Sequence, residues 1–127
     1  MTTIYITSFG WDQPAGAPAA NLTFDLRTHF RDPHKRPEFR YLTARDQVVV
    51  DTVLSTPGIR PLVASIAGAV AAYASGPVAA DITVAVGCVG GRHRAPSVAM
   101  LLAGMLTELG YEVAVDHRDI DLPVLTR

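Results

Sequence analysis

A chain of 127 residues, 49% hydrophobic and 18% charged, is long enough for one packed core and too apolar to be a disordered tail. A formal net charge of −1 argues against a molecule that binds polyanions with its whole surface, and one cysteine excludes an intrachain disulfide framework and favours a reducing compartment. No stretch joins a basic start to a long apolar run, and the apolar run 62–74 is too short to cross a bilayer, so the expectation is a soluble cytoplasmic protein without a membrane partner.

Residues 3–9 read as a β-strand rich in β-branched and aromatic side chains, with Tyr5, Phe9 and Trp11 as core or interface residues rather than a base-stacking platform. Pro14, Gly16 and Pro18 make 13–21 a loop, and 22–26 a second short strand. Residues 27–43, polar and broken by Pro33 and Pro37, predict a long loop of the kind that is functional or mobile. Six of the eleven basic residues lie between Arg27 and Arg45. Thr43 is placed to cap a helix over 44–54, ended by Ser55-Thr56-Pro57-Gly58, and an Ala-rich helix follows over 60–74. Residues 81–87 form the clearest strand, with the near-continuous apolar character of burial on both faces. A helix over 96–109 stops at Gly110, and 112–116 is the last strand. This alternation predicts a single layered α/β domain spanning 1–127, with a small, mostly parallel sheet flanked by helices.

Between the buried strand and the last helix runs Gly87-Cys88-Val89-Gly90-Gly91-Arg92-His93-Arg94. In open α/β sheets ligands bind beyond the carboxyl ends of the strands, and the first turn of the next helix offers unpaired N–H groups and a positive dipole end. Gly90 and Gly91 allow the backbone to bend around an anion, and Arg92 and Arg94 supply cationic forks. Pro96 fits the first helical turn. The expected ligand is a phosphorylated metabolite or an inorganic oxyanion. No Gly-x-x-x-x-Gly-Lys-Ser/Thr motif accompanies the loop.

An alternative is enzymatic. Cys88 and Arg94 have the Cys-x5-Arg spacing of cysteine-dependent phosphatases, with Asp32 or Asp119 as the general acid. The histidine usual before that cysteine and the hydroxyl usual after that arginine are here Gly87 and Ala95. The plain reading of Cys88 is a small buried residue at a strand end. His29, His34, His93 and His117 match no zinc spacing and have arginines around them, so neither a metal nor a cofactor is expected.

Five pieces in order carry a resemblance: Phe24-Asp25-Leu26-Arg27, Asp32-Pro33-His34, Leu42-Thr43, the glycine loop, and His117-Arg118. Together they resemble the C-terminal domain of the bacterial RapZ/YvcJ proteins. The resemblance covers most of the chain, from Leu22 to Arg118. It implies an α/β domain that holds an amino-sugar phosphate, senses that metabolite, and belongs to proteins that bind small RNA as adapters. Full-length members add an N-terminal nucleotide-binding domain with a Walker loop, and the expectation here is a stand-alone module without it. By motif, the ligand-binding set would be Asp25, Arg27, His34, Cys88, Val89, Gly90, Gly91, Arg92, His93, Arg94 and His117. Val89 stands where the family has threonine, and Ala95-Pro96 precedes Ser97 where the family has serine directly. An RNA contact would fall to Arg31, Lys35, Arg36 and Arg40, because the end from Asp119 to Arg127 holds two acids and one arginine instead of a basic tail. A partner protein or a homo-oligomer is open on this reading.

Overall fold

A computed structural model describes residues 2–127. In chain order the elements are β1 (Thr3–Gly10), β2 (Leu22–Asp25), a 3-10 turn (Pro33–Lys35), α1 (Gln47–Leu54), α2 (Ile59–Ala74), β3 (Ile82–Cys88), α3 (Arg94–Glu108) and β4 (Glu112–His117). The four strands form one sheet in the order β2-β3-β1-β4, with every pair parallel. The α/β class anticipated from the alternation of strands and helices is therefore the one observed.

The register explains the layers. Ile4 and Ile6 of β1 pair with Ile82 and Val84 of β3, so in a parallel sheet they share one face. Helical spacing puts Ile59, Val63, Ile66 and Val70 on one stripe of α2, and Val98, Leu102 and Leu106 on one stripe of α3. All these side chains meet in one core with Ile4, Ile6, Val84 and Val86. Tyr5 and Thr83 alternate onto the opposite face, where Tyr5 is exposed. The β1–β2 connection packs on the carboxyl end of that face. There Trp11 sits edge-on to Phe9 at 5.0 Å, beside Gly87, where a Cβ would lie 2.4 Å from the Phe9 ring.

Two helix starts differ from expectation, each for a local reason. α1 begins at Gln47 rather than 44, because Thr43 and Asp46 close a turn of their own. Thr43 Oγ1 accepts from the Arg45 N–H and Asp46 Oδ2 accepts from the Thr43 N–H, so neither side chain caps the helix. α3 begins at Arg94, which leaves Pro96 still within the first turn. The long 27–43 segment is folded into turns, one of them closed by the Asp32 carboxylate accepting from the His34 N–H at 3.1 Å.

At the carboxyl end of the sheet, β1 meets the glycine loop backbone to backbone. A Cβ on Gly10 would stand 2.5 Å from the Gly90 carbonyl carbon. Gly91 has φ +78, and a Cβ there would lie 2.8 Å from the Gly10 nitrogen. Backbone cannot yield as a flexible side chain can, so Gly10→Ala should destabilise the fold by about 1–3 kcal/mol, the usual cost of overpacking. Urea denaturation measures it, and an unchanged midpoint would mean that the strand and the loop are not in contact.

Candidate functional site

The carboxyl ends of the strands share one edge of the sheet, and the β3–α3 turn lies there. Its polarity is one-sided. The carbonyls of Cys88, Val89 and Gly90 accept from the Trp11 N–H, the Asp12 N–H and the Gln13 side-chain amide. The Arg92 carbonyl accepts from the Ala44 N–H, and the His93 carbonyl from the Ser97 N–H and hydroxyl. Two N–H groups, of Gly91 and Ala95, donate to the Cys88 sulfur at 3.3 and 3.4 Å. The N–H groups of Val89, Gly90, Arg92, His93 and Arg94 donate to no acceptor among the described residues. Gly90, His93 and Arg94 are buried, and buried backbone donors are nearly always paired with something.

The arginines of the loop divide their work. Arg94, 2% exposed, donates through one terminal nitrogen to the carbonyls of Leu26, Arg27 and Phe30 at 3.0, 3.0 and 3.3 Å. Its other terminal nitrogen lies 3.4 Å from Asp32 Oδ2. Arg92 was expected to offer a fork to an anion. Its terminal nitrogens instead reach the carbonyls of Leu122, Tyr41 and Leu42, where they tie the loop to two neighbouring segments. Asp32 takes a second cation, Arg127, at 2.6 Å. Burial alone would raise the Asp32 carboxyl, but Arg94 and Arg127 outweigh it and hold the group below the usual carboxylate range.

His93 Nε2 lies 3.0 and 2.8 Å from the carbonyls of Phe39 and Leu42. Carbonyls only accept, so Nε2 carries the proton and Nδ1 keeps the lone pair. Burial lowers the pKa of His93, and also those of His34 and His117. His34 is lowered further by the charge of Arg127.

Two cavities adjoin the loop. The narrow one, about 10 Å³, is lined by Asp32, His34, Cys88, Gly90, His93 and Arg94, with Val124, Leu125 and Arg127 across it. The wide one, about 610 Å³, is lined by Arg27, Phe30, Arg31, Lys35, Val89 and Arg94. Asp32, Arg94 and Arg127 border both.

Of the residues singled out from the sequence, His34, Cys88, Val89, Gly90, Arg92, His93 and Arg94 therefore line one cavity or the other, and so does Arg27. Gly91 supplies the turn, not a wall. Asp25 lines neither cavity, since both its oxygens are held by Arg27, whose hydrogen bond lowers the Asp25 pKa. His117 also lines neither. It pairs through Nδ1 with the hydroxyl of the buried Ser8, its neighbour in register, at 2.8 Å. Among the residues considered for RNA, Arg36 pairs with Glu38 and stacks on Phe39, and Arg40 donates to the His34 carbonyl. Arg31 and Lys35 stay exposed at the rim. Asp119 is buried and accepts from the Gly10 N–H and from Arg118, so it braces the loop from below.

Sequence reading missed Val124, Leu125 and Arg127, the third wall of the narrow cavity. A single arginine in a mixed tail gave no signal. Among the described residues no cluster of side chains could hold a metal ion, and no single helix is long and apolar enough to cross a membrane.

The histidine shifts have a pH consequence. Each folded pKa lies below the unfolded value of about 6.5, so the unfolded chain takes up protons first and stability is lost as pH falls below that value. Urea denaturation at pH 7.5 and 5.5 should show the lower midpoint at 5.5, and His93→Gln should narrow the gap. Equal midpoints in the wild type would contradict the buried neutral imidazoles.

Residues 2–121 match the RapZ C-terminal domain family. The chain is 34% identical over 122 residues to a nucleotide-binding protein of Paramagnetospirillum magneticum, covering 93% of this chain and 39% of that protein. It is 37% identical over 123 residues to a nucleotide-binding protein of Rhodospirillum centenum, covering 93% and 36%. For a nucleotide-binding protein of Symbiobacterium thermophilum the identity is 33% over 123 residues, covering 94% and 40%. The chain thus spans about two-fifths of the length of the curated relatives it matches. The span that matches the family, residues 2–121, includes β3, the glycine loop and α3, and the chain belongs to the RapZ C-terminal domain family.

Proposed function

We propose that residues 1–127 act as one cytoplasmic ligand-binding module that holds a phosphate-bearing metabolite at the β3–α3 turn. The observation that carries this reading is the imbalance of the turn: its carbonyls at Cys88, Val89, Gly90, Arg92 and His93 are spent on the protein and its N–H groups at Val89, Gly90, Arg92, His93 and Arg94 are not. A row of unpaired donors at a helix start beside guanidinium groups is suited to an oxyanion. The narrow cavity has room for about one water molecule or one phosphate oxygen. The wide cavity falls in the size range of metabolite sites, so the body of the ligand, an amino-sugar phosphate or something like it, belongs there. Arg31 and Lys35 on its rim could give RNA only a few phosphate contacts, which places RNA second to the small ligand.

A cysteine-dependent phosphatase is the competing reading, supported by the two N–H groups that reach the Cys88 sulfur. Its chemistry needs a proton for the leaving group. Asp32, the carboxylate in the narrow cavity, is held ionised by two arginines and has none to give at neutral pH.

Thermal-shift measurement with inorganic phosphate, sulfate and hexosamine phosphates should raise the melting temperature, because only the native state binds them. Arg94→Ala should weaken binding by about 1.5–3 kcal/mol, the scale of a charged hydrogen bond. Arg94→Lys, which keeps the charge but not the fork, should recover little of it. Unchanged affinity in both variants would remove Arg94 from the site. Hydrolysis of p-nitrophenyl phosphate by the wild type that Cys88→Ser abolishes would replace this reading with the phosphatase.

A further inference from the structure

The segment after β4 crosses the site described above. Arg118 and Asp119 lock its start, with Asp119 accepting from the Gly10 N–H at 2.8 Å and Ile120 buried in the body. Arg92 grips the Leu122 carbonyl at 2.9 Å, and Arg45 pairs with Asp121. From Pro123 onward the backbone donates to and accepts from nothing among the described residues. What holds this last stretch is its side chains. Leu125 Cδ1 would lie 3.9 Å from a Cβ on Gly90, Val124 and Leu125 wall the narrow cavity, and Arg127 reaches Asp32 Oδ2. Nothing larger than a water molecule enters that cavity while the wall stands.

The Asp32 carboxylate occupies the cations a ligand would need. One of its oxygens carries both Arg127 and Arg94, while the other accepts from the His34 N–H. A phosphate group is a better acceptor for two forks than a single carboxylate oxygen, since it offers more oxygens and up to twice the charge. Arg127, 28% exposed, hangs on a segment that can swing without breaking a backbone hydrogen bond.

We propose that Arg127 is a movable member of the anion site: paired with Asp32 when the site is empty, it turns onto the ligand's phosphate group when the site fills, and residues 123–127 shift with it. Asp32 is then an internal competitor that keeps the cations in place and sets the affinity threshold for the incoming anion. This rests on the anion reading of the β3–α3 turn. It adds that the segment beyond Leu122 is both wall and ligand-binding element, and that the phosphate class favoured is the doubly charged monoester rather than a singly charged anion.

Inorganic phosphate is the probe, followed by calorimetry and by methyl NMR of Val124 and Leu125 in the full chain. The wild type should bind, with both residues' methyl signals moving at the same midpoint. Arg127→Gln should weaken binding by about tenfold or more, as expected for loss of a charged hydrogen bond, and leave those signals still. Asp32→Asn should bind several-fold tighter, because the competing carboxylate is gone. Arg127→Gln binding as well as the wild type, methyl signals that do not respond in the saturated wild type, or a weaker Asp32→Asn complex would each overturn the exchange while leaving the anion site intact. Absence of phosphate binding by the wild type would overturn the anion reading and the exchange together.

Discussion

A buried guanidinium organises this end of the molecule. Arg94 is nearly sealed from solvent, and a lone cation in that position would cost several kcal/mol in lost hydration. The cost is offset by three backbone carbonyls on one nitrogen and by the Asp32 carboxylate near the other. Those partners come from the segment after β2, which has little regular structure of its own. Arg94 therefore folds that segment against the start of α3, and with it come Asp32, His34 and the walls of both cavities.

The glycine loop has its shape because backbone packs on backbone. Gly10 and Gly91 touch where no Cβ fits, and Asp119 accepts the Gly10 N–H beneath them. With residues 11–13 and Ala44 taking carbonyls of the loop, five of its N–H groups are left without a protein acceptor among the described residues. Helix dipole, N–H groups and two arginines then act in the same direction, toward negative charge. Asp32 tempers that field from within. Its ionised carboxylate holds Arg127 and Arg94 in place, so part of that positive charge is already neutralised within the protein.

The site was readable in part. Gly90, His93 and Arg94 stand out because glycines followed by basic side chains between a core strand and a helix suit an anion, and these three residues line the narrow cavity. Arg92 shows the limit of that reasoning. Its residue type suits an anion, but its reach from the loop ends on carbonyls of 41, 42 and 122, positions whose proximity no spacing reveals. Asp25 and His117 were paired by their neighbours, Arg27 two residues on and Ser8 across the sheet. The tail was unreadable as a wall, since one arginine among apolar and acidic residues has no periodicity to interpret.

The strands, the helices and their alternation follow from local chemistry. Branched residues at period two and apolar stripes at helical period leave few arrangements other than a layered α/β fold, and glycine and proline mark most of the ends. Strand order, the all-parallel pairing and the choice of which face the helices cover are set by packing over long separations, as when Ile4 meets Ile82 and Val113. The same holds for the site. Its donors are written in one short stretch, but its counter-charge at Asp32 and its wall at Leu125 and Arg127 come from segments brought together only when Arg94 is buried and β4 has joined the sheet.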